Sequence, residues 1–454
     1  MTQRAQTTAR DMTDGPIARQ ILLFSLPLMA GNAFQMLYNM VDSIVLGQFV
    51  SKQALAAVSS TTMIVNLFVF FFSGFATGAT VLIGRLFGAR EMKALHRAVE
   101  TAMAATFICC GIFTLLGMLM VRPMLAMMRT PPDVTEDAAT YLTIYMAGIS
   151  GLLIYNIGSG ILRAVGDSKR PLIFLAVTSV LNIGLDLLFV LAFKMKIEGV
   201  ALATVISQFV SAALVLTLLT RSADIYRFSW RDLCLDRSHL KAIFRVGLPA
   251  AAQSTVTAFS NAFVQGYINF FGTDCVAGWG SYNKLDQFIM LPMQSMSIAA
   301  TTFVSQNMGA QKERRAHTGT WLSVGMTLFI TYLIAAALYL FAAPAVTLFN
   351  ADPGVVRYGA MFIRTNTFFL LANCVNHVLA GALRGRGDSV GPMAIMLASF
   401  VGIRQLYLWI LTTRIANEAV WVGFGYPVGW LCCMALMLGY YFLRVVRPQR
   451  RAAG

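Results

Sequence analysis

The chain predicts an all-α polytopic membrane protein, with twelve transmembrane helices in two pseudo-symmetric six-helix bundles. Three observations carry this. Apolar residues make up 57% of the 454 positions and charged residues 12%, about half the charged share of a soluble domain. Runs of about 20 mainly apolar residues, the length that crosses a hydrocarbon core, recur twelve times. The second half also repeats the first at an offset of 221 residues: Leu162-Arg163-Ala164-Val165-Gly166-Asp167-Ser168 returns as Leu383-Arg384-Gly385-Arg386-Gly387-Asp388-Ser389. Pro132 matches Pro353, Pro171 matches Pro392 and Gly88-Ala89 matches Gly309-Ala310, while Leu26-Pro27 matches Leu248-Pro249 one residue further on. A duplicated bundle of this size in a membrane is the pattern of a transporter whose halves rock about a central site.

In chain order the first six runs are Gln20 to Val41, Gln53 to Gly84, Thr101 to Val121, Ala138 to Leu162, Pro171 to Phe193 and Gly199 to Thr220. The second six are Val246 to Thr273, Cys275 to Gln311, Ala316 to Ala351, Thr365 to Leu383, Ser389 to Thr413 and Ala419 to Leu443. A tail takes residues 1–15, the first lobe 16–220, a charged linker 221–240, the second lobe 241–445 and a second tail 446–454. In the charged stretch around the linker, Ile225, Phe228, Trp230, Leu233 and Leu235 have the pattern of an amphipathic helix lying on the inner leaflet. Pro27 and Pro249 fall early in the first helix of each lobe. Proline removes a backbone hydrogen bond and bends a helix, so Pro27 is the expected hinge. Gly166 and Gly387, each before an aspartate, suit tight turns. Gly74, Gly78, Gly84 and Gly88 have the spacing of a close helix contact.

Charge sets the orientation. With twelve spans both termini share a side, and that side receives twenty-five of the 35 basic residues, from Arg4 in the first tail to Arg450 and Arg451 in the last. The other side receives seven, Lys52, Arg122, Arg129, Lys194, Lys196, Arg357 and Arg414. The positive-inside rule therefore puts both termini in the cytoplasm. The net charge of +15 is this bias, together with attraction to anionic lipid, and calls for no nucleic-acid partner. Seven cysteines, mostly within the spans, form neither a disulfide framework nor a metal spacing. The polar first 20 residues lack the features of a removable signal peptide.

Carboxylates inside spans are costly and mark functional sites by default. Asp42 lies in helix 1, Asp186 in helix 5 and Asp286 in helix 8. Gln35, Tyr38, Asn39 and Asp42 fall at i, i+3, i+4, i+7, one polar stripe on an apolar helix. Asn182 and Asp186 share a face of helix 5 with Thr178, and helix 6 offers Thr204, Gln208 and Ser211. Asp42 and Asp186 lie at similar depth, so the two carboxylates can share a proton or coordinate a small hard cation such as sodium. In the repeat Asp186 maps to Tyr407 and Asp42 to Phe263 or Val264, so the pair belongs to the first lobe alone.

The second lobe instead carries Lys284, Asp286, Arg364, His377 and Arg404. Lys284 and Asp286 are two residues apart and do not face each other on a helix. Gln253, Thr257 and Asn261 in helix 7, with Asn283 and Gln287 in helix 8, form polar stripes suited to a cleft or gate.

These residues resemble the multidrug and toxic compound extrusion family of bacterial exporters, over essentially the whole chain after residue 15. The resemblance rests on Val41-Asp42-Ser43-Ile44-Val45-Leu46-Gly47, the duplicated Leu-Arg-x-x-Gly-Asp-Ser turns, Leu181-Asn182-Ile183-Gly184-Leu185-Asp186, and Glu198-Gly199-Val200-Ala201-Leu202-Ala203-Thr204. It implies two six-helix lobes in the bacterial inner membrane. It also implies export of bulky, often cationic, organic compounds against an inward flow of protons or sodium. Within the family the chain is similar to the DNA-damage-inducible protein F group, on which Asp42, Asn182, Asp186 and Thr204 match the cation or proton site and Tyr141 a nearby helix 4 tyrosine. It departs from branches with an acid in helix 7, where Gln253, Thr257, Asn261 and Gln265 are neutral.

The expectation is thus a transporter and not an enzyme, monomeric, with small organic substrates and no cofactor beyond H+ or Na+. Two rivals differ from it. A lipid-linked oligosaccharide flippase of the same superfamily would need a basic cavity, for which Lys284, Arg364 and Arg404 are available. An intramembrane aspartyl protease would use Gly385-Arg386-Gly387-Asp388, but Asp388 corresponds to Asp167 in a turn outside the spans.

Overall fold

The computed structural model describes residues 10–222, 224–415 and 417–448, with the side chain of Lys52 outside the description; Arg4, Arg450 and Arg451 lie outside it too. Among these residues there is no strand. Nine helices are long and apolar enough to cross a bilayer: α1 (Ile17–Val50), α2 (Gln53–Gly88), α3 (Met92–Met127), α5 (Lys169–Ala192), α6 (Ile197–Arg221), α8 (Thr273–Gly309), α9 (Glu313–Leu340), α11 (Val390–Ile415) and α12 (Ala419–Val446). Two more spans are broken. α4 bends by 47° between Pro132–Ala147 and Ile149–Ala164, and α10 by 59° between Pro353–Thr367 and Leu370–Gly385. The twelfth helix, α7 (Arg237–Ile268), is long enough, but Arg237, His239, Lys241 and Arg245 crowd its first turns and lower its hydropathy. The sequence does not announce the two bends, because no proline stands at either break.

The chain divides into two compact units. One runs from Leu26 to Ala251 with the stretch ending at Met12; the other runs from Ala252 onward with Thr13–Ser25. The division falls inside α1 and inside α7, one or two residues from Pro27 and Pro249. Both helices continue through their prolines.

Local structure recurs at the repeat offset. Gly166 and Gly387 take φ of 85° and 88°, a conformation open to glycine at little cost. The aspartate after each caps the next helix: Asp167 Oδ1 accepts from the Lys169 and Arg170 amides, and Asp388 Oδ1 from that of Gly391. Thr80 donates to the Gly160 carbonyl at 2.9 Å, and Thr301 to that of Gly381 at 2.9 Å. Arg90 and Gln311, also equivalent, both have positive φ.

In the first unit Gly74 and Gly78 bring α2 against α7. A Cβ at Gly78 would collide with the Ile243 carbonyl, and one at Gly74 with that of Gly247. Phe68, Phe71, Phe72 and Phe113 pack α2 on α3 with ring centroids 5.1 to 6.3 Å apart. The expected amphipathic linker helix is absent. Residues 222 and 224–236 run as turns, bends and irregular chain, and Phe228 is buried against Phe107 of α3. The Ser229 amide donates to Glu100, which satisfies backbone that a helix would have paired internally. Trp230 and Leu235 stay exposed. Asp236 then caps α7. The Ser238 hydroxyl and the Ser238 and His239 amides donate to it and pull its carboxyl down to about 2.

Candidate coupling site in the first unit

Asp42 stands near the end of α1 and Asp186 near the end of α5. Each is followed within four residues by a one-turn π segment, Leu46–Val50 and Leu188–Ala192. Such widened turns often accompany functional positions. The two carboxyls are within hydrogen-bonding reach of each other. Asp186 is fully buried and Asp42 half-buried. Asp42 Oδ1 and both oxygens of Asp186 find no donor in the protein. Two carboxylates side by side present only acceptors, so a proton or a cation has to lie between them.

The surrounding polar groups come from four helices. Tyr38, one turn before Asp42, is within reach of Gln35 and close to Tyr145. Tyr141 lies beside Asp42, Asp186 and Tyr38, and it stacks on Tyr145 with centroids 6.1 Å apart. Gln208 of α6 donates to the Tyr145 hydroxyl at 3.4 Å, and Ser211 to Thr178 at 2.9 Å. Asn182 is buried with neither its oxygen nor its nitrogen partnered, and the hydroxyls of Ser179 and Ser207 are likewise buried and unpartnered. Buried polar atoms are normally satisfied, so a water or an ion at this cluster would meet groups that the protein itself leaves unpaired. Thr204, also buried, donates to the Val200 carbonyl of its own helix, which leaves oxygen lone pairs for coordination. Gln35 and Asn39 are exposed on α1. Tyr145, Ser179 and Ser207 join the site beyond the residues that the sequence marks, although Tyr145 stands at i, i+4 from Tyr141 and the two serines at i, i+3 from Asn182 and Thr204.

The second unit is arranged differently. Arg404, 2% exposed, donates to Asn261 Oδ1 at 3.0 Å, to the Ser260 hydroxyl and to the Phe400 carbonyl. Its guanidinium lies 4.9 Å from the Tyr426 ring centroid. Gln253 accepts from Arg384, and Thr257 donates to the Gln253 carbonyl. Asp286 faces Tyr282 and Tyr426, with its Oδ1 and the Tyr282 hydroxyl unpartnered. Lys284 is exposed over the Phe349 ring, Gln287 and Arg364 are exposed, and Asn283 and His377 are half-buried. Among the described residues no ion pair involves Lys284, Asp286 or Arg404. Asp388 receives the Gly391 amide and the Tyr440 hydroxyl, the role of a helix cap, so the protease-like string does not present a free carboxylate.

Long apolar helices over nearly the whole chain, with two facing carboxyls inside them, have the build of a polytopic membrane protein. The MatE family profile matches residues 27–188 and again residues 249–410. The chain belongs to the MatE family. It is 29% identical over 440 residues to the probable multidrug resistance protein YpnP of Bacillus subtilis, covering 95% of this chain and 96% of the relative. It is 24% identical to a protein of Shewanella oneidensis named as an FAD transporter, over 78% of each chain. A solved outward-facing structure of a multidrug resistance MATE transporter superposes with a TM-score of 0.91 at 22% identity, covering 98% of this chain and 99% of that one. At that identity the likeness shows the fold.

Proposed function

We propose that this protein is a cation-coupled antiporter of a bacterial inner membrane, exporting organic, often cationic, compounds by alternating access of its two lobes. The observation that carries the reading is the Asp42–Asp186 pair, whose carboxyl oxygens lie side by side without protein donors. In this reading Asn182 and Thr204 complete the coupling site, and Tyr38 and Tyr141 border it. Gln35 and Asn39 continue the polar stripe of α1. A proton or Na+ entering from outside neutralises the pair and lets α1 bend at Pro27. Discharge to the inside restores affinity for the drug. Proton and drug then oppose each other, and linkage requires each to weaken the other by the same factor. Drug affinity in detergent falls as pH drops. If sodium replaces the proton, affinity is indifferent to pH and falls with Na+.

The multidrug name of the Bacillus relative supports the substrate class, and the retained aspartates support the DNA-damage-inducible protein F branch. The flippase reading keeps Lys284 and Arg364, both exposed, but not Arg404, whose donors are engaged by Ser260, Asn261 and Phe400. Lobes at 16–220 and 241–445, a linker at 221–240, cytoplasmic termini and a monomeric state complete the proposal.

The test is uptake of a fluorescent organic cation into inside-out vesicles, under an imposed proton gradient or an imposed sodium gradient in turn. Uptake driven by neither gradient would overturn the coupling. Cysteine labelling at 163 and 384 from the cytoplasmic face only, and at 194 and 357 from the outer face only, checks the topology.

A further inference from the structure

Along the second unit, Leu22 of α1 and one stripe of α9 enclose a groove of about 780 Å³. The α9 positions Thr318, Trp321, Leu322, Gly325 and Phe329 follow helical spacing. A Cβ built on Gly325 would meet nothing within 4 Å, so the glycine leaves the groove open at mid-length. From Thr318 to Ile330 the groove advances about 18 Å at roughly 1.5 Å per residue, against about 15 Å for half of a hydrocarbon core. It is therefore as deep as one leaflet, and its walls beyond Thr318 are apolar.

The polar end is built differently. His317 lines it, with Nδ1 3.0 Å from the Tyr441 hydroxyl. Beside His317 stands Arg386, whose Nε and Nη2 are buried without a hydrogen-bond partner. Arg19 precedes Leu22 by one turn and Arg314 precedes Thr318 by one turn, and both are exposed. Among the described residues neither enters an ion pair, whereas the neighbouring Lys312 is joined to Asp14. An apolar slot one leaflet deep, headed by unneutralised basic side chains, has the shape and charge of a phospholipid with a net negative head.

We propose that this groove holds one acyl chain of an anionic phospholipid, with its phosphate engaged by Arg19 and Arg314. The lipid spans α9 and the first turns of α1, so it braces the segment of α1 that precedes Pro27.

The experiment reconstitutes the protein in phosphatidylcholine vesicles. These contain a small fraction of either phosphatidylglycerol or phosphatidylcholine with brominated acyl chains, which quench tryptophan fluorescence on contact. The difference between wild type and Trp321→Phe isolates the signal of Trp321. We expect Trp321 to be quenched at about tenfold lower mole fraction of brominated phosphatidylglycerol, on the order of what two arginines near a charged surface contribute. Arg19→Ala with Arg314→Ala brings that fraction up to the phosphatidylcholine value, and Gly325→Leu, which fills the slot, weakens quenching by either lipid. Equal quenching by both headgroups in the wild type overturns the proposal. So does a preference that survives the double arginine variant, or displacement of the brominated chain by an organic cation dye but not by unlabelled phosphatidylglycerol.

Discussion

Helices α1 and α5 of the first unit and their counterparts α7 and α11 of the second began as the same pair, and they now meet by opposite chemistry. In the first, two carboxyls face each other and their oxygens lack protein donors. In the second, Arg404 reaches across to Ser260 and Asn261 and each contact is a formed hydrogen bond. Tyr407, the counterpart of Asp186, donates to the Trp421 carbonyl at 3.0 Å. A satisfied network holds helices in place, while an unsatisfied one stores free energy that a ligand can release. On the proposed reading, one copy of the duplicated pair serves as a scaffold and the other as a switch.

The sharpest way to break this contrast is to neutralise the acids. Asp186→Asn and Asp42→Asn should each reduce gradient-driven uptake in vesicles to background, because asparagine keeps volume and hydrogen bonding but cannot change charge. Thermal unfolding of both variants should match or exceed wild type, since the new amide NH2 donates to the facing carboxyl, which has no protein donor. Retained coupled transport in both variants would move the site to Asp286. Arg404→Met should do the reverse. It takes the donor from Asn261 Oδ1, while Ser260 keeps Phe400 and Gln405, and should lower stability by about 2 kcal/mol, measured as the unfolding midpoint in detergent, while protein that remains folded still couples to the gradient.

A smaller effect compares packing. Gly78 and Gly74 of α2 correspond to Ala299 and Ser295 of α8, which are buried with their side chains in place. Gly78→Ala gives the first unit the side chain that the second already accommodates, yet the Ile243 carbonyl blocks it. We expect a loss of about 1 to 2 kcal/mol; a neutral result would mean that α7 can retreat. The smallest effects come where the two halves agree. Asp167→Ala and Asp388→Ala each remove a helix cap and should cost about 1 kcal/mol, and similar costs in both would mark these turns as the conserved frame on which the two pairs diverged.

The twelve spans, the turns at Gly166 and Gly387 and the pairing of Asp42 with Asp186 were legible because each leaves a local trace. These traces are an apolar run, a glycine before an aspartate, and acids at matched depth. The Arg404 network was not legible, because Ser260 is 144 residues away in sequence and a serine in an apolar helix has many ordinary roles. The linker misleads because Ile225 and Phe228 have the i, i+3 spacing of an amphipathic helix, while Glu100, from another helix, pairs the Ser229 amide that a helix would bond internally. Tyr145 joins the site through the packing of α4 against α1 and α6, which its own neighbours in sequence do not record.

The tyrosine at position 407 also bears on electrical balance. If the proposed coupling runs on protons, a carboxyl pair in one half only makes a single shared proton per cycle the natural count. Exchange of one proton for one univalent organic cation moves no net charge, so an imposed voltage would neither speed nor slow it. Had both halves kept the acids, two protons against one cation would gain about 2.3 kcal/mol for each 100 mV of membrane potential. Under the proposed proton coupling, a pair in one half only would make the carrier answer to acidity and ignore voltage.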